Sequence, residues 1–288
     1  MADFSQPQDY FNLQLTDQEY TAIADFVHKT AGINLKDGKK ELVRTRLSKR
    51  MRSLRMTSFK DYFKYVTTDQ SGEEIVFLLD ALATNLTSFF REPQHFQFMA
   101  QKMLPALEAE LRPSGSRRLR IWSAACSSGE EPYTIAMVVL GKSSYFGKGG
   151  DFRILATDLS TKVLDIAKRG VYGPERVKDI PVQALSKYFT RQDSGRGEKL
   201  YKVNDEMRQL ISFRRFNLMD PLPFKGPLDL IFCRNVMIYF DRETIASLID
   251  KFHRVLGRGG YLFIGHSESL SGLKHSFKYV EPCIYQKI

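Results

Sequence analysis

The sequence has little cysteine, no histidine pair with metal-binding spacing and no long apolar run. Its three cysteines lie far apart without C-x-x-C spacing, so neither a disulfide framework nor a thiolate metal site is expected. The five histidines form no H-x-x-x-H pair, which argues against a catalytic metal. Because no window approaches roughly 18 uncharged apolar residues and the first residues lack the pattern of a signal peptide, we expect a cytoplasmic protein without membrane insertion.

Acidic residues are also in deficit. The chain carries 43 Lys and Arg against 33 Asp and Glu, a formal net charge of +10. Such a balance predicts an acidic partner but does not say whether that partner is nucleic acid, lipid or protein. The basic excess is local, because eleven Lys and Arg lie between Lys36 and Lys64 against Asp37, Glu41 and Asp61.

The centre of this basic segment is predicted to be an amphipathic helix over about 39–55. Its apolar stripe recurs at helical spacing and consists of Val43, Leu47, Met51 and Leu54. The basic residues on the other faces form either an ordinary solvated surface or a docking surface for an acidic partner. The docking candidates are Arg44, Arg46, Lys49, Arg50 and Arg52.

Helical patterns dominate the first part of the chain, and a different pattern begins near Leu119. In the first part, a capping box from Thr16 to Glu19 is predicted to start a helix that ends at Gly32. The predicted divisions are a helical domain over 1–85, a linker with a connecting helix over 86–118, and a second domain over 119–288.

Short apolar runs alternate with helical patterns in the second domain, which predicts an α/β fold with a mostly parallel sheet. The predicted strands are 119–125, 152–158, 228–234 and 260–266. The final "YVEPCIYQKI" leaves no room for a crossover helix, so we expect it to pair antiparallel at the sheet edge or next to it. An insertion over about 170–215 contains "LYKV" and "LISFRRF", which predict a small antiparallel subdomain.

The first strand leads into a turn of small residues, "SAACSSGEE", at the place where open α/β sheets bind ligands. One glycine stands where G-x-G-x-x-G has three, which disfavours NAD binding. The turn also lacks the lysine of a P-loop and the first glycine of G-x-S-x-G, so a phosphate cradle and a nucleophile elbow are excluded.

Two carboxylates at this edge remain as ligand-binding candidates. Glu131 is predicted at the mouth of a helix whose first residue is Pro132. There it either binds a cationic amino-acid ligand or forms a capping box with Ser128. Asp158 is predicted to end the second strand, where it either holds a ribose or caps the following helix.

Five segments carry a resemblance to a known family in order and spacing: "ALATNLTSFFREPQHF" (81–96), "IWSAACSSGEEPYTIAM" (121–137), "ILATDLS" (154–160), "FCRNVMIYF" (232–240) and "GYLFIGHSESL" (260–270). Together they resemble the CheR family of chemotaxis receptor glutamate O-methyltransferases, which use S-adenosylmethionine (SAM). The resemblance implies a Rossmann-like SAM-dependent methyltransferase domain with a mostly parallel sheet, a small antiparallel β-subdomain and an N-terminal all-helical domain.

The resemblance also implies roles for particular residues. Glu131 would hold the methionine end of SAM, Asp158 the ribose, and Asn217 with Leu218 the adenine. Arg91 and Tyr239 would position the reacting groups as the catalytic residues. The implied cofactor-binding set is Asn85, Thr87, Arg91, Glu131, Asp158, Asn217, Leu218, Arg234 and Asn235.

The implied substrate is the acidic helical cytoplasmic region of chemoreceptors, and the implied product of the cofactor is S-adenosylhomocysteine (SAH). A receptor C-terminal peptide is a possible tether at the β-subdomain, and we expect a monomer with no nucleic-acid partner. Two alternatives stay open. One is a SAM-binding regulatory or scaffold module without turnover. The other is a nucleic-acid methyltransferase, suggested by the basic pI and "NLMDPLPF", although Asp220 and Leu222 break the N-P-P-[YF] pattern.

Overall fold

The computed structural model describes residues 13–35, 38–147, 149–193, 197–224 and 226–288. The chain divides into two compact units between Thr84 and Asn85. Lys36 and Asp37 of the predicted basic segment and residues 194–196 of the predicted insertion lie outside the described residues. Among the described helices, none has the length and apolar character needed to span a bilayer.

The N-terminal unit is helical throughout its described elements, which are α1 (Asp17–Ala31), α2 (Lys40–Leu54), α3 (Phe59–Thr68) and α4 (Glu73–Leu82). The predicted capping box is confirmed: Glu19 N–H donates to Thr16 Oγ1 at 3.2 Å, and Thr16 N–H donates to Glu19 Oε2 at 2.8 Å. Gly32 ends α1 in the left-handed region, with φ of 71°. The helix boundaries therefore follow the capping residues of the sequence.

The apolar stripe of α2 forms part of the core of this unit. Val43, Leu47 and Met51 are fully buried, and Leu54 is partly buried. Residues at this spacing lie on one face of a helix, so the basic residues between them are directed to the other faces.

The second unit contains the remaining helices. They are α5 (Pro93–Phe98), α6 (Leu104–Leu111), α7 (Glu130–Lys142), α8 (Ser144–Gly147), α9 (Thr161–Arg169), α10 (Pro174–Val177), α11 (Val182–Tyr188), α12 (Asp205–Arg208) and α13 (Arg242–Val255). A π-helical segment, Met99–Met103, joins α5 to α6.

The strands of this unit form two sheets. In chain order they are β1 (Arg118–Ala124), β2 (Asp151–Asp158), β3 (Val171–Tyr172), β4 (Phe189–Asp193), β5 (Lys199–Val203), β6 (Ile211–Arg215), β7 (Leu228–Cys233), β8 (Leu256–Ile264), β9 (Phe277–Glu281) and β10 (Ile284–Lys287). The main sheet has the order β6-β2-β1-β7-β8-β10-β9. Its first five strands pair in parallel, and β10 pairs antiparallel with both β8 and β9. The predicted mostly parallel sheet and the antiparallel terminal segment are confirmed.

The small antiparallel sheet has the order β3-β5-β4 and confirms the predicted subdomain. The assignment of "LISFRRF" to that subdomain is wrong, because Ile211–Arg215 pairs in parallel with β2 as the edge strand of the main sheet. The burial pattern explains this position. Ile211 and Phe213 face the core while the alternate residues are exposed, as expected for a strand with one covered face.

The helix after β1 begins earlier than predicted. It starts at Glu130, after Gly129 in the left-handed region with φ of 97°. A Cβ atom on Gly129 would lie 2.9 Å from both Ala167 Cβ and Tyr172 Oη, so only glycine fits this turn. Pro132 therefore lies in the first turn but is not the first residue, and proline is tolerated there because the first N–H groups of a helix have no intrahelical partner.

The first strand lies at the switch point of the main sheet. It pairs with β2 on one side and with β7 on the other, so the direction of strand order reverses there. Open α/β sheets bind ligands beyond the carboxyl ends of the strands at such a point. Glu131, Asp158, Arg234 and Asn235 all follow or end these three strands.

Candidate active site

The turn after β1 is fixed to the end of β2 by backbone hydrogen bonds. The N–H groups of Ala125 and Cys126 both donate to Thr157 O at 2.8 Å. Ala125 and Ser127 have positive φ angles of 83° and 48°, which non-glycine residues adopt only where the surroundings impose it. The result is a tight turn of small side chains with its backbone held in place.

Asp158 connects this turn to the start of α9. Its Oδ2 accepts a hydrogen bond from Ser127 N–H at 2.8 Å, and its Oδ1 accepts one from Ser160 N–H at 2.9 Å. The cap of α9 is Ser160, whose Oγ accepts from Val163 N–H. The helix cap considered for Asp158 is therefore supplied by Ser160.

Glu131 does not form the capping box with Ser128 that the sequence left open. Ser123 Oγ donates to its Oε1 at 2.7 Å, and Arg234 Nη1 donates to its Oε2 at 3.2 Å. Burial raises the pKa of Glu131, while Arg234 and the Ser123 hydroxyl act in the opposite direction. Ser128 Oγ instead donates to Glu130, whose carboxylate also binds Arg176.

Arg234 follows β7, and only 1% of its side chain is exposed. It donates to Glu92 at 2.9 Å, to Glu131 at 3.2 Å and to the backbone oxygen of Arg91. Its guanidinium carbon lies 5.5 Å from the ring centroid of Phe96. A buried guanidinium needs such partners, because an unpaired buried charge is strongly unfavourable.

Glu92 and Glu268 are two carboxylates that the sequence reasoning did not assign. Glu92 Oε1 accepts from Asn235 Nδ2 at 3.0 Å, and Glu268 accepts from the backbone N–H groups of Asn235 and Met237 at 3.0 and 2.7 Å. Both residues lie inside quoted segments, in "FFREPQHF" and "GHSESL". Their position in these segments is the feature of the sequence that could have indicated them.

A cluster of Glu92, His95 and His266 brings potential metal ligands together, with the ligand atoms within 4.8 Å of one another. Burial and the nearby Arg234 lower the pKa of His95 to about 3, so His95 is neutral at physiological pH. The oxygens of Glu92 already accept hydrogen bonds from Arg234, Asn235 and the backbone N–H of His266. The adjacent guanidinium charge disfavours a dication at this carboxylate.

The loop before α5 carries Asn85, Thr87 and Arg91. Asn85 O accepts from Ser127 Oγ at 3.0 Å, which fixes this loop to the turn after β1. Arg91 Nη1 donates to Leu86 O at 2.7 Å, and Thr87 is partly buried. The loop therefore borders the same end of the sheet.

The other expected site residues lie on loops after β6 and β7. Asn217 Oδ1 accepts from Met219 N–H at 3.1 Å in a local turn, and Leu218 is 9% exposed. Tyr239 ends a short 3₁₀ turn, Met237–Tyr239. Two groups of contacts result. In the first, Glu92 binds Arg234 and Asn235, and Arg234 also binds Glu131. In the second, Ser127 binds both Asn85 and Asp158. Thr87 and Leu218 lie outside these two groups.

The docking candidates on α2 have different surroundings within the N-terminal unit. Arg50 makes two hydrogen bonds to Glu74, from Nε at 2.9 Å and from Nη2 at 2.5 Å, and stacks on Phe77. Arg46 donates to the backbone oxygens of Leu82 and Ala83. These two head groups are therefore engaged within their own unit.

The remaining candidates are closer to the surface. Arg44 pairs with Glu41 at 2.8 Å, and Lys49 and Arg52 are exposed, as is Arg55 at the end of the helix.

The main sheet and these loops form an open α/β domain of the class that binds ligands beyond the carboxyl ends of its parallel strands. Residues 85–285 match the family model described as "CheR methyltransferase, SAM binding domain", and residues 18–83 match "CheR methyltransferase, all-alpha domain". The chain belongs to the CheR methyltransferase family, and its cofactor is SAM.

Known proteins match nearly the whole chain. It is 38% identical to the "Chemotaxis protein methyltransferase" of Borreliella burgdorferi over 277 residues, which cover 96% of each chain. It is also 38% identical to the "Chemotaxis protein methyltransferase" of Escherichia coli, over 95% of this chain and 92% of that protein. A "Probable chemotaxis protein methyltransferase" of Rhizobium etli is 39% identical over 90% of this chain and 96% of that protein. The expected family and its methyltransferase activity in chemotaxis are therefore confirmed.

Proposed function

We propose that this methyltransferase forms methyl esters on glutamate side chains in the cytoplasmic helical region of chemoreceptors. The observation that carries the proposal is the similarity to chemotaxis protein methyltransferases over 90% or more of the chain. The strongly basic α2 supports an acidic helical substrate. None of the described features favours a module without turnover or a nucleic-acid methyltransferase.

The hydrogen-bonding groups at this edge of the sheet fit SAM. The carboxylate of Glu131 would accept the ammonium group of the methionine end, and Asp158 would accept the ribose hydroxyls, since each carboxylate oxygen can accept a second hydrogen bond. The small side chains of Ala125, Cys126 and Ser127 let a ligand approach the backbone. Asn217 and Leu218 would border the adenine, and Asn85, Thr87, Arg234 and Asn235 would complete the pocket.

SAM supplies a methyl group that is already activated by its sulfonium sulfur. A glutamate side chain has an unperturbed pKa of about 4.3, so the nucleophile is ionised at neutral pH and no residue of this chain has to remove a proton. The chain instead aligns the two reactants and excludes water, and good alignment contributes about 7–11 kcal/mol.

Arg91 and Tyr239 would orient the reacting groups. An arginine at this place must not hold the carboxylate too tightly, because the carboxylate loses its charge as the ester forms and uniform binding does not raise the turnover rate.

The experiment that tests this proposal is methyl transfer from labelled SAM to a purified receptor cytoplasmic fragment. We expect label on the fragment, and we expect none on a fragment whose acceptor glutamates are replaced by alanine. Equal labelling of both fragments would contradict glutamate as the acceptor.

The docking role of α2 is tested on the residues that are exposed. Reversing Lys49, Arg52 and Arg55 to Glu is expected to raise the KM for the receptor fragment about tenfold at low salt, because exposed charges act at a distance that salt screens. The difference should shrink as salt is added, and SAM affinity should not change. Steady-state kinetics at several ionic strengths provide the measurement.

The control for that experiment is the reversal of Lys142, Lys162 and Lys168, three exposed lysines of the second unit that give the same change in net charge. We expect this control to raise the KM less. If both triple variants behave like the wild type at every salt concentration, α2 does not dock the substrate. Arg46 and Arg50 are unsuitable for this test, since their replacement would disturb the fold.

A receptor tether would bind at the small sheet. Strand β4 is one of the two edge strands of this sheet, and it is longer than β3. It pairs with β5 on one side and exposes the side chains after Phe189. Main-chain hydrogen bonds would add the peptide as a further strand, which is why the sequence carries little signal for it.

A further inference from the structure

The carboxylate of Glu92 organises two of the residues proposed to bind SAM. It accepts hydrogen bonds from Arg234 Nη2 at 2.9 Å, from Asn235 Nδ2 at 3.0 Å and from the backbone N–H of His266 at 3.3 Å. The bonds to Arg234 and Asn235 span 142 and 143 residues of the sequence. Glu92 therefore fixes the segment after β7 to the segment before α5.

The backbone around Glu92 is held in an unusual conformation. Phe90, Glu92 and Asn235 have positive φ angles of 54°, 57° and 60°. This conformation is unfavourable for residues other than glycine, so the surrounding contacts must impose it. The hydrogen bonds of Glu92 are suited to this, because 12% of its side chain is exposed and the Arg234 side chain is almost fully buried.

The charge of Glu92 affects how strongly Arg234 interacts with Glu131. One guanidinium lies between two carboxylates, at 2.9 Å from Glu92 and 3.2 Å from Glu131. The three groups together carry one negative charge. Without the charge of Glu92, Arg234 and Glu131 would neutralise each other, and Arg234 would compete with an incoming ammonium group for Glu131.

Hydrogen bonding to the charged form keeps Glu92 ionised. Burial alone would raise its pKa, but Arg234, Asn235 and the N–H of His266 more than offset this and lower the pKa to about 2. Glu92 therefore carries its charge at every pH at which the protein would be assayed.

We propose that Glu92 is a positioning residue, which shares the Arg234 guanidinium with Glu131 so that Arg234 does not neutralise Glu131 alone and the cluster keeps a net negative charge for the ammonium group of SAM. This inference rests on the proposed role of Glu131. It predicts a defect confined to ligands that carry the aminocarboxypropyl group. Ligands that have the adenosine and the sulfur but lack that group should bind as before.

The test compares two ligands, SAH and 5′-methylthioadenosine, which share the adenosine thioether and differ in the amino-acid group. Binding is measured by calorimetry on the full chain. Glu92→Gln keeps the shape of the side chain but removes the charge, and its amide NH₂ must face at least one donor among Arg234, Asn235 and His266 N–H. We expect SAH affinity to fall at least tenfold and 5′-methylthioadenosine affinity to change less than twofold.

Two further variants control the result. Glu92→Asp keeps the charge on a shorter side chain and should retain more SAH affinity than Glu92→Gln. Glu281→Gln removes a carboxylate on edge strand β9 that pairs with the exposed Lys102, and it should leave both affinities unchanged. These variants separate the loss of the Glu92 charge from a general effect of a Glu→Gln change.

The outcomes separate the inference from the proposed site. Equal loss of both ligands in Glu92→Gln would show a structural role and overturn the inference, and so would unchanged SAH affinity. If the wild type binds the two ligands equally well, the amino-acid group makes no useful contact and the proposed role of Glu131 fails first. If the wild type discriminates between them and Glu92→Gln discriminates equally well, only the role of Glu92 fails.

Discussion

Glu131→Gln is expected to weaken SAM binding by about 1.5–3 kcal/mol, roughly 10- to 160-fold, because the neutral amide removes a charge-assisted hydrogen bond to the ligand ammonium. The amide keeps the shape of the carboxylate, and Arg234 keeps its contact with Glu92. The variant should therefore fold normally. Calorimetric titration with SAM, together with a thermal unfolding scan, provides the measurement.

The adjacent Glu130 is the matched comparison. It is fully buried, and its carboxylate binds Arg176 and Ser128. Glu130→Gln should lower the unfolding temperature more than Glu131→Gln does, and it should change SAM affinity less. The assignment of Glu131 would be wrong if Glu130→Gln proved the more damaging variant for SAM binding.

Arg50→Ala is expected to destabilise the N-terminal unit by about 3–5 kcal/mol, because it leaves a buried carboxylate without its cation. Glu74 is 2% exposed, and its carboxylate binds Arg50 and the hydroxyl of the buried Tyr62, at 3.0 Å. Urea unfolding of the full chain, with hydrogen exchange over residues 13–84 to locate the effect, provides the measurement.

Two further variants test whether the effect comes from the unpaired Glu74 carboxylate. Lys49→Ala changes an exposed residue one position away and should alter stability by less than about 0.5 kcal/mol. Replacing both partners, Arg50→Met with Glu74→Leu, should recover part of the lost stability, since it removes both charges and leaves only the Tyr62 hydroxyl without its partner. A small effect of Arg50→Ala would instead show that the pair behaves as an ordinary surface ion pair.

The burial of α2 can be predicted from the sequence, but the interaction of Arg50 with Glu74 cannot. The apolar stripe of Val43, Leu47 and Met51 is a local pattern, and helical periodicity predicts its burial correctly. The sequence also shows that Arg46 and Arg50 are basic residues off that stripe. It does not show that their partners lie on or just after α4, 24 or more residues away.

The sheet illustrates a second limit. The four predicted strands and the antiparallel terminal segment are confirmed, because each was a bounded apolar run in an alternating order. Strand β6 was placed in the wrong sheet, since its alternating pattern fits an edge strand of either sheet. Its partner is decided by the packing of Ile211 and Phe213 on the core.

The positions of two candidate carboxylates, Glu131 near the start of α7 and Asp158 at the end of β2, can be predicted from local sequence patterns. The sequence predicts Pro132 as the first residue of α7, whereas the left-handed Gly129 sets the boundary two residues earlier, at Glu130. Glu92 was missed because its partners lie more than 140 residues away. No local pattern reports a contact of that kind.

The product of the proposed reaction is a methyl ester of a glutamate side chain. Methyl esters hydrolyse in mild alkali, whereas methyl groups on nitrogen or carbon do not. The decisive measurement is the release of labelled methanol after the enzyme has acted on a receptor cytoplasmic fragment with methyl-labelled SAM. We expect nearly all protein-bound label to become volatile methanol after mild alkali. Label that stays on the fragment through that treatment would contradict the proposed glutamate O-methyltransferase.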